Sequence, residues 1–91
     1  MDYGLAGKTA LVVGGATGIG FAAASLMGRE GMQVAVADIN ADSARRGAER
    51  LASAGVKAIG IRADITQLAD VQSMNAQVEG ALGPVDVLLN S

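Results

Sequence analysis

The segment Thr9-Ala-Leu-Val-Val-Gly-Gly-Ala-Thr-Gly-Ile-Gly20 decides the fold of this chain. Its first five residues form a short apolar run, which is typical of a β-strand buried on both faces. Closely spaced glycines follow, and from Gly18 the apolar residues recur at helical spacing until Gly31, a suitable left-handed C-cap. The segment therefore predicts a buried strand, a glycine turn and a helix over about residues 18–30. The predicted buried stripe of that helix is Ile19, Ala22, Ala23, Leu26 and Met27.

Strands and helices alternate along the rest of the sequence. Apolar runs predict three further strands, and helical spacing of apolar residues predicts a helix in each interval between strands. Asn40 and Thr66 are suitable N-caps for the second and third helices, which Gly55 and the pair Gly83-Pro84 end. The four predicted strands cover residues 9–13, 34–37, 57–62 and 85–89.

This alternation implies a parallel sheet, because each helix serves as the crossover between two strands. Right-handed crossovers place the first two helices on one face and the third on the other, which brings strand 4 beside strand 1. The predicted fold is α/β, a partial Rossmann-like doubly wound parallel sheet with strand order 3-2-1-4. The winding reverses between strands 1 and 4, and folds of this class bind ligands there, at the carboxyl ends of the strands.

The composition excludes several classes of function. The 91 residues contain neither His nor Cys, which excludes disulfides, metal sites built from thiolate or imidazole ligands, and a Ser/His/Asp relay; no metal site is predicted. A net charge of −2 without a basic run argues against a nucleic-acid partner. Residues 9–28 carry no charge, but glycines interrupt them, so no membrane span is predicted. The start of the sequence lacks the basic segment of a signal peptide, and we expect a cytoplasmic protein.

Three glycines between a strand and a helix predict a pyrophosphate-binding loop. A helix N-terminus offers unpaired N–H groups and about half a positive charge, which suit an anionic ligand. Gly14 permits the sharp turn, Gly18 lets the backbone approach phosphate without an intervening Cβ, and Gly20 allows the helix to pack tightly on the sheet. The alternative is a tight strand-to-helix turn that binds nothing.

Polar residues follow the other three strands. Asp38 stands twenty residues after Gly18, where a carboxylate accepts hydrogen bonds from ribose hydroxyls and repels a 2′-phosphate. Because its flanking residues and the glycine loop supply no cation, NAD is predicted over NADP; the alternative is a solvated acid near a helix start. Asp64 either holds an adenine amino group or assists the Thr66 cap. Asn90 either lines the nicotinamide side of the crevice or ties down a turn.

Together these residues resemble the coenzyme-binding part of the short-chain dehydrogenases/reductases. That family's fingerprint is Thr-Gly, three residues, Gly, any residue, Gly. Val13 replaces the usual Thr of the fingerprint, and Ser91 replaces a second Asn that follows the fourth strand in the family. The resemblance extends over all 91 residues, and its most similar segments are residues 12–20, 37–40, 63–66 and 85–90.

The resemblance implies a binding site for NAD. Each implied contact lies at or shortly after the end of a strand. The implied contacts are Gly14, Thr17, Gly18 and Ile19 with the pyrophosphate, Asp38 and Ile39 with the adenosine ribose, Asp64 and Ile65 with the adenine, and Asn90 with the ribose next to the nicotinamide.

The resemblance also implies that catalysis needs residues other than these. Family members transfer hydride with a Tyr-x-x-x-Lys motif and a Ser that come after the fourth strand, and Tyr3 and Lys8 have the wrong spacing and precede strand 1. We therefore expect residues 1–91 to be the N-terminal dinucleotide-binding part, truncated after strand 4, of an NAD-dependent dehydrogenase that interconverts a secondary alcohol and a ketone. This part alone is expected to be inactive.

A non-catalytic nucleotide-binding module is the alternative to the dehydrogenase. The expected partners are a small-molecule substrate for the whole enzyme and a further polypeptide along the exposed edge of strand 4, as in a homo-oligomer.

Overall fold

The computed structural model describes residues 4–91, so Tyr3 lies outside the described residues. Within this range, no helix is both long and apolar enough to cross a membrane. The elements are β1 (Thr9–Val13), α1 (Gly18–Arg29), β2 (Gln33–Asp38), α2 (Ala41–Ser53), β3 (Ala58–Arg62), α3 (Leu68–Leu82) and β4 (Val87–Asn90).

The four strands form one parallel sheet in the order β3-β2-β1-β4, which confirms the predicted topology. Val13 at the end of β1 pairs in register with Ala37 of β2 and with Asn90 of β4. Asp38 pairs in register with Arg62 at the end of β3. The carboxyl ends of all four strands therefore meet along one edge of the sheet.

The core lies in two layers, one on each face of the sheet. On one face, Ala24 of α1 and Leu51 of α2 pack against Val12 and Val36. On the opposite face, three buried residues of α3 pack against the sheet, and these are Met74, Val78 and Leu82. The predicted placement of two helices on one face and the third on the other is therefore confirmed.

The predicted buried stripe of α1 is partly wrong. Ile19 and Leu26 are 85% and 59% exposed, and Ala22 is also exposed, whereas Gly20 and Ala24 are buried. A Cβ on residue 20 would overlap the backbone of the glycine turn. The helix therefore presents its smallest residues, rather than its largest apolar ones, to the turn and the sheet.

One of the two predicted N-caps is confirmed. The Asn40 side chain accepts a hydrogen bond of 2.9 Å from the Ser43 N–H. The Thr66 cap is wrong, because α3 begins one residue later with Gln67 as N-cap. The Thr66 hydroxyl instead donates to Asp64. Each helix ends within two residues of the glycine predicted to end it.

The fourth strand begins at Val87, two residues later than predicted. Asp86 takes part in a different arrangement: its Oδ2 accepts the Thr9 N–H at 2.9 Å, and its own N–H donates to the Thr9 carbonyl at 2.9 Å. The Thr9 hydroxyl, which is buried, donates to the Leu82 carbonyl at the end of α3. A side-chain hydrogen bond therefore replaces a ladder bond where the sheet would otherwise continue.

A substitution at Gly60 tests whether α2 must lie as close to the sheet as the structure shows. A Cβ there would overlap the Ala44 carbonyl, whereas a Cβ on Gly80 in α3 would meet nothing within 4 Å. We expect Gly60→Ala to lower the free energy of unfolding by about 1–3 kcal/mol, because the α2 backbone must move. The control Gly80→Ala should raise it by up to about 1 kcal/mol through helix propensity. Urea denaturation followed by circular dichroism measures both, and equal effects would contradict the packing.

Candidate functional site

A cleft of about 250 Å³ opens at the carboxyl edge of the sheet, between the loops that follow the four strands. Six of the predicted contacts line it. Thr17, Gly18 and Ile19 are not among its lining residues and lie at the N-terminus of α1. The residues that line the cleft are Val13, Gly14, Asp38, Ile39, Ala63, Asp64, Ile65, Asn90 and Ser91.

The glycine turn brings the start of α1 to the end of β1. Gly14 has a φ of 76°, and its N–H donates to the Ala37 carbonyl at 2.8 Å. Gly18 has a φ of 60°, and a Cβ there would meet nothing within 4 Å, so the space beside it is open to a ligand. A Cβ on Gly20 would overlap the Gly14 carbonyl. The close contact predicted between Gly20 and the sheet is therefore a contact with the turn.

The first turn of α1 carries hydrogen-bond donors that no described residue satisfies. Thr17 is the N-cap, but its side chain makes no capping hydrogen bond. Among residues 4–91, the N–H groups of Gly18, Ile19 and Gly20 have no partner, and the first satisfied donor is the N–H of Phe21, 3.2 Å from the Thr17 carbonyl. These donors and the positive end of the helix dipole suit an anion such as a phosphate group.

Two further glycines that are absent from the predicted contacts hold this turn in place. A Cβ on Gly15 would lie 2.8 Å from the Val12 carbonyl, and a Cβ on Gly47 in α2 would lie 3.1 Å from the Ala16 Cα. The turn is therefore pressed between β1 and α2. A glycine in the interior of α2 is unfavourable for helix formation. Its presence at position 47 is therefore the feature of the sequence that could have indicated a close contact between α2 and the turn.

Asp38, the last residue of β2, and Asp64, in the loop after β3, line one side of the cleft. Asp38 is half-buried, and its Oδ1 accepts the Asn40 N–H at 2.9 Å. The Oδ1 of Asp64 accepts the Thr66 hydroxyl at 2.6 Å and the Thr66 N–H at 3.0 Å. These two bonds, with a smaller contribution from the Arg62 charge, hold the pKa of the Asp64 carboxyl below its ordinary value of 3.8. Asp64 is therefore ionised at neutral pH.

Apolar side chains and one amide complete the cleft. Ile39 and Ile65 are 62% and 44% exposed, so large apolar surfaces stand at its side, as in sites that bind a flat ring. Asn90 ends β4, and its exposed side chain makes no hydrogen bond to the described residues. The two roles predicted for Asn90, at the nicotinamide side of the crevice or in a turn, both stay predictions.

A charged pair outside the predicted site connects two of the loops. Arg62 Nη1 donates to Asp70 Oδ2 at 2.8 Å, and the same oxygen accepts the Asp64 N–H at 2.9 Å. Arg62 Nε also donates to the Ile39 carbonyl at 3.2 Å, although 23 residues separate the two along the chain. No local sequence pattern indicates this pair, because only the β2–β3 register and the start of α3 bring it together.

A larger cleft, of about 370 Å³, lies between α1, the C-terminal end of α2 and the loop that follows α2. The Arg50 guanidinium stacks 4.1 Å from the centre of the Phe21 ring there. This cleft faces the amino ends of the strands, away from the glycine turn and the acidic loops. The converging polar groups therefore favour the smaller cleft as the functional site.

Comparison with known sequences places these features in a family. A family model described as short chain dehydrogenase matches residues 8–91. The 5-keto-D-gluconate 5-reductase of Escherichia coli strain K12 is 35% identical over 89 residues, which cover 98% of this chain and 35% of that protein. The sorbitol dehydrogenase of Cereibacter sphaeroides is 42% identical over 87 residues, which cover 96% of this chain and 33% of that protein.

Solved structures share the fold. A hydroxysteroid dehydrogenase from Escherichia coli superposes with a TM-score of 0.90 at 35% identity, over 94% of this chain and 37% of that one. A short-chain type dehydrogenase/reductase from Mycobacterium marinum gives 0.86 at 42% identity, over 92% of this chain and 33% of that one. The chain spans about a third of the length of these relatives. By sequence and by fold, the chain belongs to the short-chain dehydrogenase family of oxidoreductases.

Proposed function

We propose that this chain is the coenzyme-binding part of an oxidoreductase that uses NAD(H) to interconvert a secondary alcohol and a ketone. The observation that carries the proposal is the Asp38 carboxylate, which lines the cleft beside the glycine turn. Relatives that include a sorbitol dehydrogenase and a 5-keto-D-gluconate 5-reductase support the class of reaction. A small-molecule substrate and a cytoplasmic location belong to the same proposal.

The first turn of α1 fits the pyrophosphate of a dinucleotide. The unsatisfied N–H groups of Gly18, Ile19 and Gly20 are donors for phosphate oxygens, and the open space beside Gly18 leaves room for them. The Thr17 hydroxyl, free of any capping bond, is a further donor. A Cβ on residue 18 would enter this space, so the glycine matters for binding more than for packing.

The cleft beyond the turn fits the two nucleoside ends. The exposed side chains of Ile39 and Ile65 provide an apolar surface for the adenosine, with Ile39 beside its ribose and Ile65 beside the adenine, and the ionised Asp64 accepts a hydrogen bond from the adenine amino group. Asn90, at the switch between β1 and β4, would hold the ribose next to the nicotinamide. When bound, the nicotinamide supplies the hydride acceptor or donor.

Asp38 sets the proposed preference for NAD. Its Oδ1 is occupied by the Asn40 N–H, and its Oδ2 makes no hydrogen bond to a described residue, so one oxygen is available to the ribose hydroxyls. A 2′-phosphate at this position would place a second negative charge against the carboxylate. Such a like-charge contact in a desolvated site costs several kcal/mol.

We propose that the residues that transfer the proton lie in the part of the whole protein outside residues 1–91. In the family resemblance, the Tyr and Lys that perform it follow the fourth strand, and Lys8 precedes β1 at the opposite edge of the sheet. We therefore assign coenzyme binding, and no catalytic residue, to residues 1–91. A Tyr-x-x-x-Lys sequence beyond residue 91 in the same reading frame distinguishes the dehydrogenase from a non-catalytic nucleotide-binding module.

The outer edge of β4 supports a proposal about partners. Among the described strands, β4 pairs only with β1, and Leu88 on β4 is 64% exposed. An unpaired strand edge beside an exposed leucine is a site for further polypeptide. We propose that more of the same protein, or a second copy of it, covers this edge.

Calorimetric titration of the full-length protein with NAD and with NADP tests the proposed function. We expect NAD to bind at least about tenfold more tightly, because Asp38 accepts the ribose hydroxyls and repels the 2′-phosphate. Asp38→Ala should weaken NAD and strengthen NADP until the two affinities are similar. The control Glu79→Ala removes an equal charge from an exposed position on α3 and should change neither. Equal affinities in the unaltered protein would refute the role of Asp38.

The Asp64 carboxyl should titrate below its ordinary pKa of 3.8. Its folded-state pKa lies below the unfolded value of 3.8, so its bonds to Thr66 stabilise the fold above that pH, and this contribution disappears as pH falls through the folded value. Thr66→Val removes the hydroxyl donor and should raise the pKa toward 3.8, whereas Thr66→Ser should keep it low. Carboxyl-carbon NMR titration measures all three, and an unchanged midpoint in Thr66→Val contradicts the assignment.

A further inference from the structure

Arg62 and Asp70 connect the two loops that carry the acidic residues of the cleft. One carboxylate oxygen of Asp70 accepts both the Arg62 guanidinium, at 2.8 Å, and the Asp64 N–H, at 2.9 Å. The same guanidinium donates through Nε to the Ile39 carbonyl, at 3.2 Å. The Arg62 charge is therefore committed to one carboxylate and one carbonyl.

The ion pair between Arg62 and Asp70 contributes little to the free energy of unfolding. The side chains of Arg62 and Asp70 are 50% and 30% exposed, and an ion pair of that exposure contributes at most about 1 kcal/mol. The pair does fix the direction of the guanidinium, because each of its two bonds uses a different nitrogen. Its position beside the cleft matters more than its energy.

Arg62 stands next to the residue that faces the coenzyme ribose in the proposed site. Arg62 and Asp38 are register partners on neighbouring parallel strands, so their side chains leave the same face of the sheet with Cα atoms about 5 Å apart. A guanidinium binds phosphate strongly, often through two parallel hydrogen bonds. An Arg62 side chain released from Asp70 would therefore reach the region where a 2′-phosphate would lie.

We propose that Asp70 determines coenzyme specificity at a distance, by holding Arg62 away from the position of a 2′-phosphate. Asp70 is then a positioning residue, because it acts through Arg62 and does not touch the coenzyme. The inference rests on the proposed function, in which Asp38 binds the adenosine ribose. It adds a second determinant: the preference for NAD requires both a carboxylate that faces the ribose and an arginine that is kept occupied elsewhere.

Asp70→Asn tests the inference because the amide keeps an acceptor for the Asp64 N–H and removes the charge that attracts Arg62. In calorimetric titrations of the full-length protein, we expect NADP affinity to rise about tenfold, the gain typical of one new charge-assisted contact, and NAD affinity to change by less than about threefold. Asp70→Ser, which also retains an acceptor oxygen, should behave in the same way. Glu79→Gln is the matched control for loss of one negative charge and should leave both affinities unchanged.

The double variant Asp70→Asn/Arg62→Gln separates a released arginine from a general change in charge. We expect its NADP affinity to return to that of the unaltered protein. A gain that persists without Arg62 would overturn the inference, and so would an unchanged ratio of NAD to NADP affinity in Asp70→Asn. In both cases tight NAD binding by the unaltered protein would leave the proposed function standing. If the unaltered protein did not bind NAD, both the proposed function and this inference would be refuted. Failure of Asp70→Asn and Asp70→Ser to fold would show a purely structural pair and overturn the inference.

Discussion

The close approach of α1 to the turn after β1 is the constraint on which the rest of the site depends. A Cβ on Gly20 would overlap the Gly14 carbonyl, and a Cβ on Gly15 would lie 2.8 Å from the Val12 carbonyl. Only glycines allow the helix to begin so near the end of the strand. Because the N-cap side chain makes no bond to the first turn, the helix N–H groups there remain available to a ligand.

Because the strands are parallel and in register, the start of α1 lies at the same edge of the sheet as the acidic residues, so one site contains both positive and negative electrostatic potential. The positive end of α1 lies beside the end of β1, while Asp38 is the last residue of β2 and Asp64 lies in the loop after β3. A dinucleotide has the complementary pattern, with negative charge at its centre and hydroxyl and amino donors at the adenosine end. Ile39 and Ile65 add the apolar surface that a flat base requires. In the proposed site, the fold thus separates the groups that would bind phosphate from those that would repel it.

Much of this could be predicted from sequence, because local rules decide it. Strand and helix alternation with right-handed crossovers gives the order β3-β2-β1-β4, and the polar residues after each strand then share one edge. The exposed face of α1 could not be predicted, since periodicity identifies the apolar positions Ile19 and Leu26 but not what covers them. The Arg62–Asp70 pair also escapes sequence reasoning, because it depends on strand register and a helix start rather than on spacing along the chain.

The proposed role of the first turn of α1 in binding pyrophosphate is tested most directly by amide NMR spectra of the protein titrated with NAD and, separately, with adenosine. We expect NAD to shift the amide resonances of Gly18, Ile19 and Gly20, whose N–H groups have no partner among residues 4–91. Adenosine, which lacks the pyrophosphate, should shift the resonances of Ile39 and Ile65 while leaving those three unchanged. Binding of NAD without a shift at Gly18, Ile19 and Gly20 would place the pyrophosphate elsewhere and refute its binding at the start of α1.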